Sequence, residues 1–140
     1  MFIISTEHSF DSAHFLAGYE GKCSNIHGHR WRVIIEVQAE KLKAAGQLEG
    51  MVDDFSNLKE DVKELVDRFD HCLILQEGTM REKTLNCLLE DGFDIKAVNF
   101  RPTAENFSEY FYGCIEEKGY HVKRVSVHET PNNCAIYEKN

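Results

Sequence analysis

With two prolines in 140 residues and no low-complexity run, the chain has little to divide it into separate units. A single domain spanning residues 1–140 is therefore expected. No window approaches the run of about 18 apolar residues that a membrane-spanning helix needs, so no membrane partner is expected. Met1 to Glu7 lacks a basic region followed by an apolar stretch, so no secretory leader is expected and the reading is cytoplasmic. The five cysteines are an odd count with no CxxC pair, which argues against a secreted disulfide framework. Basic residues are in the minority, 16 Lys and Arg against 24 Asp and Glu, for a formal net charge of -8. A surface of that sign repels phosphate backbones at long range, and nucleic acid is not an expected partner.

What remains is ordinary globular composition: 42% apolar and 29% charged residues, enough to bury a core. Between Phe2 and Phe15, Phe2, Ile4, Phe10 and His14 fall at even positions, as on a half-buried strand. From His27 to Gln38 the alternation is cleaner. His27, His29, Trp31, Val33, Ile35 and Val37 share one face of a long strand whose inward row begins with two histidines. The period then changes. Leu58, Val62, Leu65, Val66 and Phe69 form the stripe of an amphipathic helix, with Ser56 as its expected N-cap. Thr79 and Glu82 have the spacing of a capping box for a short second helix stopping at Gly92. A third helix is expected after Pro102, capped by Thr103, with Phe107, Tyr110, Phe111, Cys114 and Ile115 on one face. His121–Glu129 and Cys134–Tyr137 read as strands around a Pro131-Asn132-Asn133 turn. Strands at both ends with helices between predict an α+β fold, with helices on one face of a four-stranded antiparallel sheet. Its open edges invite pairing between copies.

The chemistry concentrates on His14, His27 and His29. Two histidines two apart on a strand project to the same side, and His14 closes the inward row of the neighbouring strand. Three neutral imidazoles with a vacant fourth position make a catalytic zinc site. The same residues also read as hydrogen-bonded strand histidines, because HxH alone is a weak pattern. Cys23, four residues before His27, has three readings: a fourth zinc ligand closing a structural site, a thiolate base or nucleophile, or an inert thiol. Lys22, Arg30 and Arg32 surround it in a stretch without acids, which suits an anionic substrate, although Arg30 and Arg32 also suit a solvated outer strand face. Asp70-His71 pairs a carboxylate with an imidazole, as a proton relay or as a solvated helix end. Glu129, before the last turn, would grip an amidine-like edge through two hydrogen bonds or face water. Cys72, Cys87, Cys114 and Cys134 read as mostly core.

Taken in order, Phe10-Asp11-Ser12-Ala13-His14, Cys23-Ser24-Asn25-Ile26-His27-Gly28-His29, Asp54-Phe55, Asp70-His71, Pro102-Thr103-Ala104-Glu105-Asn106 and Glu129-Thr130 resemble the 6-pyruvoyltetrahydropterin synthase family. The resemblance covers nearly the whole chain. Within it, the three residues separating Cys23 from His27 are similar to the spacing in the bacterial 6-carboxytetrahydropterin synthases of queuosine biosynthesis. The resemblance implies a T-fold, with three subunits closing a barrel and two barrels stacked into a hexamer. It implies conversion of 7,8-dihydroneopterin triphosphate to 6-carboxy-5,6,7,8-tetrahydropterin, with loss of triphosphate and acetaldehyde. His14, His27 and His29 would bind Zn2+, Cys23 would abstract the proton, and Asp70 and His71 would form the relay. Glu129 would anchor the pterin, with Thr103 and Glu105 near the pocket. One departure is the stretch from Gln76 to Phe100, longer than in compact members, which bears on the exact substrate.

Overall fold

The computed structural model describes all 140 residues, Met1–Asn140. Two long strands, β1 (Phe2–His14) and β2 (His27–Ala39), form where the alternation was clearest. They pair antiparallel from Phe2↔Ala39 to His14↔His27. That register puts the even residues of β1 on the same side as the odd residues of β2, so Phe10, Ser12 and His14 are buried together with Trp31, Val33, Ile35 and Val37. Helix α1 (Phe55–Asp67) lays Leu58, Val62, Leu65 and Val66 on this side, followed by Phe69. Its cap is Asp54, which accepts from the Ser56 amide at 2.8 Å, so Ser56 lies inside the first turn rather than before it.

The sheet has six strands, ordered β4-β3-β1-β2-β5-β6, where four were expected. The additions are β3 (Leu73–Gln76) and β4 (Ile95–Val98), parallel to each other, with β3 also parallel to β1. They escape an alternation search because they are only four residues long. In β3, moreover, the adjacent residues Ile74 and Leu75 are both buried, as in strands covered on two faces. Helix α2 (Glu82–Glu90) lies between them in the chain and buries none of its residues. Thr79 does not cap it; its hydroxyl donates back to the Gln76 carbonyl at 2.6 Å. Gly92 does end this segment, at φ +88°, a left-handed conformation that glycine adopts without penalty. The pair β3–β4 extends the sheet on the far side of β1 and leaves the β1–β2 pairing untouched.

Helix α3 (Ala104–Glu117) starts at its expected cap, with Thr103 Oγ1 accepting from the Asn106 amide at 3.1 Å. It buries Phe107, Phe111 and Ile115, while Tyr110 and Cys114 pack at the margin of the core. Phe10 stacks on Trp31 with ring centroids 5.5 Å apart, and Phe107 meets the same Trp31 edge-on at 5.4 Å. Strands β5 (Val122–Thr130) and β6 (Asn133–Tyr137) complete the sheet. Their register shifts between His128 and Thr130, so Glu129 sits in an irregularity that re-aims its side chain. Of the thiols assigned to the core, Cys72 is buried and Cys114 half-buried. Cys87 and Cys134 are exposed, because α2 buries nothing and β6 is an edge strand. No helix is long and apolar enough to cross a membrane.

Candidate metal centre and active site

The β1–β2 register brings His14 directly opposite His27, with His29 two residues further along the same face. Together with Glu129 they place one donor atom each within 4.8 Å of one another. Trp31 forms the floor, its ring edge-on to His14 at 4.9 Å and to His29 at 5.6 Å. Backbone carbonyls set the ring orientations. His14 Nδ1 donates to the Pro102 carbonyl at 2.8 Å, and His27 Nδ1 donates to the Asn25 carbonyl at 2.7 Å. Each ring is thereby held with Nε2 as its bare, lone-pair nitrogen, and the two Nε2 atoms face each other at 3.1 Å. Burial pushes the His14 pKa down from 6.5 to about 4, helped by His27 and His29 and only partly offset by the Pro102 carbonyl. His14 is therefore neutral at neutral pH and supplies no proton to the contact.

His29 completes the group. Burial lowers its pKa too, against the raising effect of Glu129. Its Nε2 is buried without an aligned hydrogen-bond partner, although Glu129 Oε1 lies 2.9 Å away. Facing lone pairs and an orphaned ring nitrogen are unfavourable by themselves and become favourable around a cation. Three imidazole nitrogens with an oxygen nearby are a donor set suited to zinc. The residues present fit the metal.

The His14 shift has a measurable consequence for stability. Between pH 6.5 and about 4 the unfolded chain takes up a proton that folded His14 refuses, so unfolding becomes easier as pH falls through that window. For metal-free protein the loss at this site should be on the order of 3 kcal/mol. It should appear as a falling urea midpoint that His14→Gln flattens. Identical pH profiles for the two proteins would contradict the assignment.

The other predicted residues are distributed around this centre. Cys23 lies in a single 3-10 turn, Lys22–Ser24, half-buried, and its sulfur is not a member of the donor group. The donor nearest a fourth position is Glu129, not Cys23. Thr103, besides capping α3, follows the carbonyl that holds His14. Glu105 and Glu129 line one cavity of about 320 Å³ with Asn133, Cys134 and Ala135. Arg30 and Arg32 pair with Asp11 at 3.2 Å and Glu7 at 2.9 Å across the outer strand face, so the basic island is largely neutralised locally.

Asp70 and His71 form a built pair. His71 Nδ1 donates to Asp70 Oδ2 at 2.8 Å, and Asp70 Oδ1 accepts from the Asp11 amide at 2.8 Å. The Asp11 amide first, and then His71, hold the Asp70 carboxyl below the usual range. His71 has φ 56°, the one positive value outside glycine, pinned by its amide bonded to the Asp11 carbonyl at 2.7 Å. The pair is not part of the donor group. His71 lines a cavity of about 720 Å³ with Asp11, Ser12, Gly28 and Arg30, and His29 of the donor group reaches the same cavity.

Residues 3–140 match the family model described as 6-pyruvoyl tetrahydropterin synthase. The chain is 40% identical over 114 residues to the 6-carboxy-5,6,7,8-tetrahydropterin synthase of Haemophilus influenzae, covering 80% of each chain. It is 34% identical over 131 residues to the enzyme of that name from Rickettsia felis, covering 88% of this chain and 90% of that one. In structure it is similar to the 6-pyruvoyl tetrahydropterin synthase of Plasmodium falciparum, with a TM-score of 0.70 at 25% identity over 99% of this chain and 97% of that one. The expected T-fold is the fold observed, with two strands more than anticipated.

Proposed function

The chain belongs to the 6-pyruvoyl tetrahydropterin synthase family of pterin-converting enzymes, and on that premise we propose that it is a zinc-dependent 6-carboxy-5,6,7,8-tetrahydropterin synthase. It converts 7,8-dihydroneopterin triphosphate to 6-carboxy-5,6,7,8-tetrahydropterin with release of acetaldehyde and triphosphate, as a cytoplasmic step towards queuosine. The observation that carries this reading is the pair of bare Nε2 atoms facing each other at 3.1 Å beside the orphaned His29 nitrogen.

His14, His27 and His29 hold zinc, which when bound supplies Lewis acidity toward the side-chain hydroxyls of the substrate. A proton beside a carbinol carbon is very weakly acidic, so its removal also needs a base held close. Cys23, in the turn that leads into His27, takes that role. Glu105 and Glu129 face the same cavity, where a carboxylate can grip the amino-pyrimidine edge through parallel hydrogen bonds. Glu129 anchors that edge, with Glu105 in the same cavity and Thr103 holding the start of its helix.

Asp70 and His71 act as the proton relay. Neither residue is a metal donor, and His71 shares a cavity with His29, which suits a relay at the margin of the metal centre. The proposed assembly is one of single-domain 1–140 subunits in the family's arrangement of two stacked trimers, which would pair the open edges β4 and β6. The test is incubation with 7,8-dihydroneopterin triphosphate. Stoichiometric acetaldehyde and 6-carboxytetrahydropterin are expected, whereas a pyruvoyl product without acetaldehyde would reassign the enzyme to 6-pyruvoyltetrahydropterin formation.

A further inference from the structure

Arg101 is a cation without an anion. In a chain with 24 acidic residues it pairs with no carboxylate, and its half-buried guanidinium faces the loop between β1 and β2. There Arg101 Nη2 donates to the Ala17 carbonyl at 3.1 Å, although the two residues are 84 apart in the chain. The guanidinium carbon stands over the Tyr19 ring, 5.8 Å from its centroid.

This loop carries Cys23, and its internal bonds run from the Arg101 contacts to the cysteine. The Tyr19 ring packs on Gly21 so closely that a Cβ there would lie 2.8 Å from Tyr19 Cε1. The Gly21 carbonyl accepts from the Ser24 amide at 3.2 Å and from the Ser24 hydroxyl at 2.8 Å, closing the turn in which Cys23 stands. The Cys23 carbonyl accepts from the Leu16 amide at 2.9 Å, and the Leu16 carbonyl from the Tyr19 amide at 3.2 Å. The backbone of Arg101 is held as firmly. Its carbonyl accepts from the Thr103 amide at 2.7 Å and from the Asn106 side chain at 2.9 Å. The next carbonyl, that of Pro102, orients His14. One residue thus joins the metal-bearing strand, the start of α3 and the cysteine loop.

We infer that Arg101 is a positioning residue: its guanidinium fixes the loop so that Cys23 keeps one place relative to the metal centre. Arginine suits this task because its planar, permanently charged group can lie over a ring and donate at its edge at once. A thiolate that must take a proton from carbon gains from being held, since a misplacement of about 1 Å costs on the order of 10²-fold in rate. The inference rests on the reading of Cys23 as the base.

The test compares Arg101→Met, Cys23→Ala and the double variant. Arg101→Met should lower kcat by about 10- to 10²-fold with KM within about twofold and zinc content near wild type. In the Cys23→Ala background the same substitution should change turnover less than about twofold, because residues that act through one step are not additive. Hydrogen exchange, which needs no turnover, should be about tenfold faster across residues 16–24 in Arg101→Met, the scale of one lost charge-assisted hydrogen bond. Tyr19→Leu, which removes the ring and leaves the guanidinium, should show the same pattern and serves where Arg101→Met folds poorly. Wild-type exchange in the loop, wild-type kcat, or an undiminished effect of Arg101→Met without Cys23 would each overturn the inference. Full turnover in Cys23→Ala alone would instead overturn the reading of Cys23 as the base, and this inference with it.

Discussion

His27→Ala should leave less than roughly one-tenth of a zinc ion per chain and lower turnover by about 10³-fold or more, the scale of several kcal/mol of Lewis-acid stabilisation. The ring supplies one of two opposed Nε2 atoms, and its orientation is set by a carbonyl only two residues away. Without it, two imidazoles and one carboxylate remain. The fold should survive, since His27 lies at the open end of β2 and outside the hydrophobic core. Metal analysis and far-ultraviolet circular dichroism on the same preparation separate the two effects. Full zinc occupancy in the variant, or zinc-free wild-type protein with full activity, would remove the metal from the mechanism.

The second large effect is expected at Cys23. Cys23→Ala should reduce turnover by about 10² to 10⁴, the range for loss of a positioned base, with zinc content and thermal stability near wild type. The contrast with His27→Ala is the informative part. The Cys23 sulfur lies outside the donor group, so its removal takes away a proton acceptor and no ligand. If Cys23→Ala instead lost its zinc and unfolded, the sulfur would be closing a structural site, and the protein would be a metal-stabilised binding module. Cys23→Ser, nearly isosteric but far less acidic, should sit close to the alanine variant.

How much of this was legible in the chain depended on how local each signal is. The parity of His14, His27 and His29 relative to Phe10, Trp31 and Val33 was readable, because a strand alternates its faces whatever it pairs with. The stripe on α1 and the cap on α3 were readable for the same reason. Asp54 displaced Ser56 as a cap because both residue types satisfy the same preference and only the backbone path chooses between them. Strands β3 and β4 stayed hidden, being too short for a period and held in place by parallel neighbours.

The site divides along the same line. Residue types and spacing by themselves determined that three imidazoles point inward from two strands, and that a thiol, an Asp-His pair and a late glutamate accompany them. Only the tertiary structure decided which of these meet. The Pro102 carbonyl that sets the His14 tautomer is 88 residues away in the chain. Glu129 reaches the histidines because β5 pairs with β2 and then slips out of register with β6. Asp70 and His71 end up outside the donor group, at the entry to β3 on the far side of β1, although His71 shares a cavity with His29. Side-chain direction is a property of the local backbone, whereas adjacency follows from strand order and register, and those are settled by burial across the whole sheet.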